Sequence, residues 1–193
     1  MGDGYGPVLV AREKIPHERL ASIRVAIPGT LTSAALALKM WNPALQTVTR
    51  PFDEIMPAVS SGEVDAGVVI HEGQLTWRDE GFHRIVDLGV WWAEETDGLP
   101  LPLGGNVIRR DLGGDMCARV AALLKASIEY SLEHREEALD YALDYGRGLA
   151  RDKADRFVGM YVNDWTRDYG EKGRRAIVRF LAEGAAAGLV PRL

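Results

Sequence analysis

The chain has 193 residues, 47% of them hydrophobic and 26% charged, with a formal net charge of −5 and a sequence pI of about 5.4. This length and apolar content suit one large globular domain or two small lobes and exclude a disordered chain. The acidic balance gives no support for general nucleic-acid binding, and a lone Cys117 excludes an intramolecular disulfide or a cysteine-rich zinc site.

In chain order, Val8 to Arg12 predicts a strand, and Lys14 to Ser22 a polar connection with room for one helical turn. Ile23 to Ile27 predicts a second strand, and Thr32 to Trp41 a well-covered helix ended by Asn42-Pro43. Leu45 to Thr49 alternates as a strand does. Phe52 to Ser61 follows as a helix candidate with Asp53 and Glu54 in its first turn, in which Pro57 is tolerable only near the helix start. Val64 to Ile70 is a continuous apolar, β-branched run that suits a buried parallel strand. Glu72 to Asp79 predicts a short helix, Phe82 to Leu88 a strand, and Val90 to Thr96 a helix carrying Trp91-Trp92.

Strands alternating with short helices imply βαβ units and a mainly parallel sheet. The proline-rich stretch Leu99 to Gly105 breaks that pattern as an extended crossing segment, and Asn106 to Arg110 is expected to continue it as a strand. Helices then dominate: Asp115 to His134, Arg135 to Tyr145 ended by Gly146, Asp152 to Trp165, and Glu171 to Gly188. Cys117 is expected to be a small buried hydrophobe on the first of these. The basic cluster Lys172, Arg174, Arg175 and Arg179 reads as the solvated face of the last. No apolar run reaches transmembrane length. Met1 to Pro7 lacks the regions of a signal peptide, so a cytoplasmic location is expected.

Two strand ends carry chemistry. After Ile27, the turn Pro28-Gly29-Thr30-Leu31-Thr32-Ser33-Ala34 is rich in hydroxyls and opens a helix. Unpaired backbone N–H groups there attract anions such as a substrate carboxylate. Thr32 or Ser33 equally suits a plain helix cap. After Ile70, His71 stands where ligands bind in open α/β sheets, and its imidazole is a candidate acid–base group. The competing reading is a histidine that only hydrogen-bonds the backbone. Glu72 either orients that ring or starts the next helix. His17, His83 and His134 form no ligand set with His71, so no metal site is expected.

Several motifs occur together in one order. They are Gly-x-Gly-Pro-x-x-Val-Ala-Arg ending at Arg12, Arg24-Val-Ala-Ile-Pro-Gly-x-x-Thr-Ser-Ala ending at Ala34, and Asp53-x-Ile-Met-Pro-x-Val ending at Val59. Gly62-Glu-Val-Asp-Ala-Gly, Ile70-His-Glu, Asp87-Leu-Gly-x-Trp-Trp and Gly98-Leu-Pro-Leu-Pro-Leu-Gly follow. From about Gly4 to Gly188 the chain resembles the 1,4-dihydroxy-6-naphthoate synthases of the futalosine route to menaquinone. The resemblance implies an α/β fold like the type II periplasmic binding proteins. One α/β lobe (residues 8–105) would be nearly complete, and residues 106–193 would be the helical C-terminal part of a truncated second lobe.

It also implies a carbon–carbon lyase that converts cyclic de-hypoxanthine futalosine to 1,4-dihydroxy-6-naphthoate without a metal or organic cofactor. His71 matches the family's proton acceptor. Ser33 and Ala34 match its substrate-binding pair, with serine where many members have threonine, and Thr32 is a further candidate. The family's N-terminal segment, with a Ser-Pro-Cys-Pro-Asn-Asp-like motif and a Lys-x-Ser, has no counterpart here. The expected partner is a small-molecule substrate, with neither nucleic acid nor membrane, and with either a homo-oligomer or a missing N-terminal half completing the site. A solute-binding module of the same fold, an enzyme like chorismate dehydratase, and an inactive fragment stand as alternatives.

Overall fold

The computed structural model describes residues 1–145 and 150–192, so Gly146, the expected end of the second long helix, lies outside the described residues. The chain divides into two compact units: Met1–Leu103 with Glu171–Leu193, and Gly104–Gly170.

The first unit is built on a sheet of β1 (Val8–Ala11), β2 (Arg24–Ile27), β3 (Gln46–Thr49), β4 (Ala66–Val69) and β5 (His83–Asp87), in the order β3-β2-β4-β1-β5. β2 pairs in parallel with both β3 and β4. β1 runs antiparallel to β4 and to β5, so the expected parallel sheet is interrupted by one reversed strand. The reversal still leaves β2, β3, β4 and β5 pointing the same way. Their carboxyl ends therefore share one edge of the sheet. That edge receives the segments after Ile27, Thr49, Val69 and Asp87.

Period-two alternation sorts the strand residues between two cores. Leu9, Ala11, Val25, Ile27, Ala66 and Val68 face one way, and Val8, Val10, Ala26 and Val69 the other. The first face packs under α1 (Ser33–Trp41), through Ala34, Ala35, Ala37 and Leu38. The second packs under α2 (Ile55–Ser61), through Ile55, Met56, Ala58 and Val59. Pro57 is accommodated because a 3-10 turn, Phe52–Glu54, leads into α2 and leaves proline in the helix's first turn, where its missing N–H costs nothing. A short α3 (Gly73–Thr76) follows β4, and α4 (Leu88–Glu95) follows β5.

The crossing segment closes this unit from below. Gly2 and Leu101 exchange both backbone hydrogen bonds at 2.8 Å. Nearby, the chain at Tyr5-Gly6 passes directly over the start of α4, and a Cβ on Gly89 would lie 2.0 Å from the Tyr5 carbonyl oxygen. Asn106 to Arg110, expected as a strand, forms none: it pairs with no described strand, and Val107 is 96% exposed.

The second unit contains α5 (Gly114–Glu133), α6 (Arg135–Leu143), α7 (Arg151–Tyr161) and α8 (Asp164–Arg167). Arg135 bridges to Asp155 at 2.7 Å, and Arg151 reaches Glu136 at 2.6 Å and also Asp140, which ties α6 to α7. No residue of α5 is buried. Cys117 is accordingly half-exposed rather than a core residue, because its helix lacks a covering layer among the described residues.

The last helix, α9 (Gly170–Ala186), returns to the first unit, where Phe180 sits edge-on to Trp92 with ring centroids 5.3 Å apart. Its buried residues Gly173, Ala176, Phe180 and Gly184 repeat at helical spacing, while Lys172, Arg174, Arg175 and Arg179 stay exposed. The sequence reading grouped residues 106–193 as one helical part. The structure draws its units differently, because the stripe on α9 fits the apolar face of α1 and α4.

Candidate active site

The shared carboxyl edge brings the two sequence-predicted strand ends together. β2 and β4 are direct neighbours, with Val25 opposite Ala66 and Ala26 opposite Gly67. The turn that follows Ile27 and the end that carries His71 therefore leave neighbouring strands, whose ladder spacing is ~4.8 Å.

At the first end, Thr32 is the N-cap of α1. Its hydroxyl accepts from the Ala35 N–H at 3.1 Å and donates to the Gly29 carbonyl at 2.8 Å. The Thr32 carbonyl takes the Leu36 N–H at 3.0 Å. This leaves the amides of Ser33 and Ala34 at the first two helical positions, where an α-helix offers no internal acceptor. The Ala34 side chain is buried, so this residue meets a ligand only through its backbone. The Ser33 hydroxyl donates to the Leu103 carbonyl, which leaves its oxygen lone pairs as acceptors. Thr32 is thus the cap, and the Ser33 and Ala34 amides lie at the positive end of α1.

At the second end, His71 is held by backbone on both sides of its ring. Nδ1 accepts from the Gly73 N–H at 3.0 Å, and Nε2 lies 3.0 Å from the Phe52 carbonyl oxygen. The Phe52 ring tilts against the imidazole at 5.5 Å and 57°. Glu72 stands just before α3, and its carboxylate lies 3.6 Å from Nδ1, beyond hydrogen-bond distance. Gly73 is needed for this packing: a Cβ there would lie 2.5 Å from Met56 Sδ, 2.8 Å from Val69 Cγ1 and 2.9 Å from His71 Cε1. Composition and spacing did not single out Phe52 or Gly73. The signal that could have found Phe52 is its position just past β3, on the same sheet edge.

Asp87 ends β5 on that edge as well. Its carboxylate accepts from Gly89 N–H at 2.9 Å and Val90 N–H at 3.1 Å, capping α4. Burial pushes its carboxyl above the usual carboxylate range, against the pull of those amides and of the Arg84 charge. Among the described residues no group of His, Cys, Asp or Glu is placed to hold a metal ion, and no helix is long and apolar enough to cross a membrane.

Comparison with known proteins agrees with this architecture. Residues 1–186 match the family model described as menaquinone biosynthesis. A protein of Streptomyces coelicolor named 1,4-dihydroxy-6-naphthoate synthase is 38% identical over 199 residues, covering 100% of this chain and 70% of that relative. One of the same name from Thermus thermophilus is 42% identical over 189 residues, covering 98% and 68%. Among solved structures, a protein of Archaeoglobus fulgidus superposes with a TM-score of 0.92 at 44% identity, over 98% of this chain and 70% of that one. The ligand-binding component of an ABC-type import system from Staphylococcus aureus does so with a TM-score of 0.66 at 10% identity, over 98% and 66%. That second likeness establishes the fold, an α/β architecture of the periplasmic-binding-protein kind.

Proposed function

We propose that this chain, which belongs to the menaquinone biosynthesis family, acts as a 1,4-dihydroxy-6-naphthoate synthase. Its substrate would be cyclic de-hypoxanthine futalosine, cleaved in a carbon–carbon lyase reaction in the cytoplasm. The observation that carries the reading is the pairing of β2 with β4. It makes neighbours of the two strands that lead into the Ser33-Ala34 turn and into His71, on the edge where ligands of such sheets bind.

In this mechanism the Ser33 and Ala34 N–H groups hold a substrate carboxylate or hydroxyl oxygen. Thr32 keeps those amides in place as the cap of α1. His71 acts as general base. It removes a substrate proton, and the electron pair left behind on the substrate drives the bond cleavage that releases the sugar-derived fragment. A positioned base contributes roughly 100- to 10,000-fold to such a step. No metal or organic cofactor has a part in it.

Turnover of the cyclic intermediate by the wild-type chain and by His71→Ala tests the assignment. Loss of activity by a factor of about 100 or more is expected, and unchanged turnover overturns the base. One observation favours a second reading, a module that binds without chemistry: both ring nitrogens of His71 are engaged by backbone. Substrate binding without any product from the wild-type chain would select it.

A further inference from the structure

The contacts of His71 carry more than its placement. A backbone N–H only donates, so Nδ1, facing Gly73 N–H at 3.0 Å, bears no hydrogen. A carbonyl oxygen only accepts, so Nε2, facing Phe52 O at 3.0 Å, bears one. Neither partner can reverse its sense, unlike a hydroxyl or an amide side chain. The ring is thereby fixed in one neutral tautomer, with its lone pair on the side of Gly73 and Glu72. The Phe52 ring lies tilted against the imidazole on the side that supplies this carbonyl.

We propose that Nδ1 is the atom of His71 that takes the substrate proton, that the Phe52 carbonyl selects this atom by holding Nε2–H, and that Glu72 is a positioning residue that receives the new Nδ1–H. The inference rests on the reading of His71 as the base. In the step, the substrate bond to hydrogen breaks, its electron pair stays on the substrate, and an N–H bond forms at Nδ1. The ring becomes an imidazolium. The one lone pair of Nδ1 is held by the Gly73 N–H, so that contact must give way as the substrate hydrogen approaches, and it stays broken because the protonated ring would face it donor against donor.

The acceptor standing ready is Glu72 Oε2 at 3.6 Å, just beyond hydrogen-bond reach of the neutral ring and within ion-pair distance of the charged one. Further carboxylates on this edge are Asp53 and Glu54, on the turn that supplies Phe52, and Asp87, which caps α4. The strand end thus offers Nδ1 a donor when it is bare and an acceptor when it is protonated. The Phe52 carbonyl serves both states unchanged.

Two measurements on the whole chain test this. Long-range proton–nitrogen correlation spectra of histidine-labelled protein, with His71→Gln used to assign the ring, report the tautomer above neutral pH. The Nε2–H form is expected, and the Nδ1–H form or a mixture of the two overturns the proposal. Steady-state turnover of Glu72→Gln should show kcat lowered by about 10-fold, part of the roughly 100- to 10,000-fold a positioned base supplies, with KM and the tautomer unchanged. Wild-type kcat in that variant removes the role of Glu72. Failure of the underlying reading looks different: full turnover by His71→Gln would discard the base while leaving the Nε2–H spectrum intact.

Discussion

His71 shows how a single residue's role depends on contacts that no local motif specifies. Its position at the end of an apolar run was readable from Val64 to Ile70 alone. Its tautomer was not, because Phe52 lies 19 residues away and reaches the ring only through the path from β3 into α2. Gly73→Ala isolates the packing around the ring. With contacts of 2.5 to 2.9 Å to relieve, it should cost about 1–3 kcal/mol of stability and displace the imidazole, read by chemical denaturation and by turnover together. Thr32→Ala and Ser33→Ala separate cap from site. The first should lose about 1 kcal/mol of stability by removing the cap acceptor of Ala35 N–H. The second leaves the cap and both amides intact and removes the hydroxyl oxygen as an acceptor for a substrate hydroxyl, so it should act mainly on KM. Equal stability losses in the two, with KM unmoved, would assign the whole turn to structure.

Among the elements, the strand and helix segments of the first unit were largely readable because their apolar periodicity matches the faces they bury. The direction of β1 was not. Val8 to Ala11 is buried on both faces, and such a run looks the same in a parallel or an antiparallel neighbour. Asn106 to Arg110, expected to continue the crossing segment as a strand, forms none, since an extended segment without a pairing partner leaves its backbone groups to solvent.

The cap of α4 carries a prediction in pH. Burial raises the Asp87 carboxyl above its ordinary value of 3.8, so the folded chain binds that proton more tightly than the unfolded chain does. Stability is therefore lost as pH rises from about 3.8 through the folded value, and the deficit is complete above it. Asp87→Asn keeps an acceptor for Gly89 and Val90 and removes the charge. Its melting temperature relative to wild type should climb with pH across that window and then level off. A difference that stays flat from pH 4 to 8 would assign the shift elsewhere.

The molecule as a whole is two compact units joined through Leu103-Gly104 and returning through Gly170-Glu171. The last helix marks the limit of reading from order along the chain. It follows four helices yet packs with the first unit, because Phe180 needs the fully buried Trp92 rather than the solvated helices before it. Phe180→Ala should cost about 3–5 kcal/mol, seen as an early transition in tryptophan fluorescence during denaturation. A loss below about 1 kcal/mol would mean that α9 is only loosely held.

The proposed function belongs to the same scale, since the strands that lead to the amide pair and to the imidazole are neighbours only through the pairing of β2 with β4. The most direct test is the amount of 1,4-dihydroxy-6-naphthoate formed from cyclic de-hypoxanthine futalosine under identical conditions by the wild-type chain and by His71→Gln, each with its substrate affinity measured by calorimetry. Product is expected from the wild type and, from the variant, substrate binding of similar strength with turnover reduced by about 100-fold or more. Equal product from the two, or none from a wild-type chain that binds the substrate, would contradict this expectation.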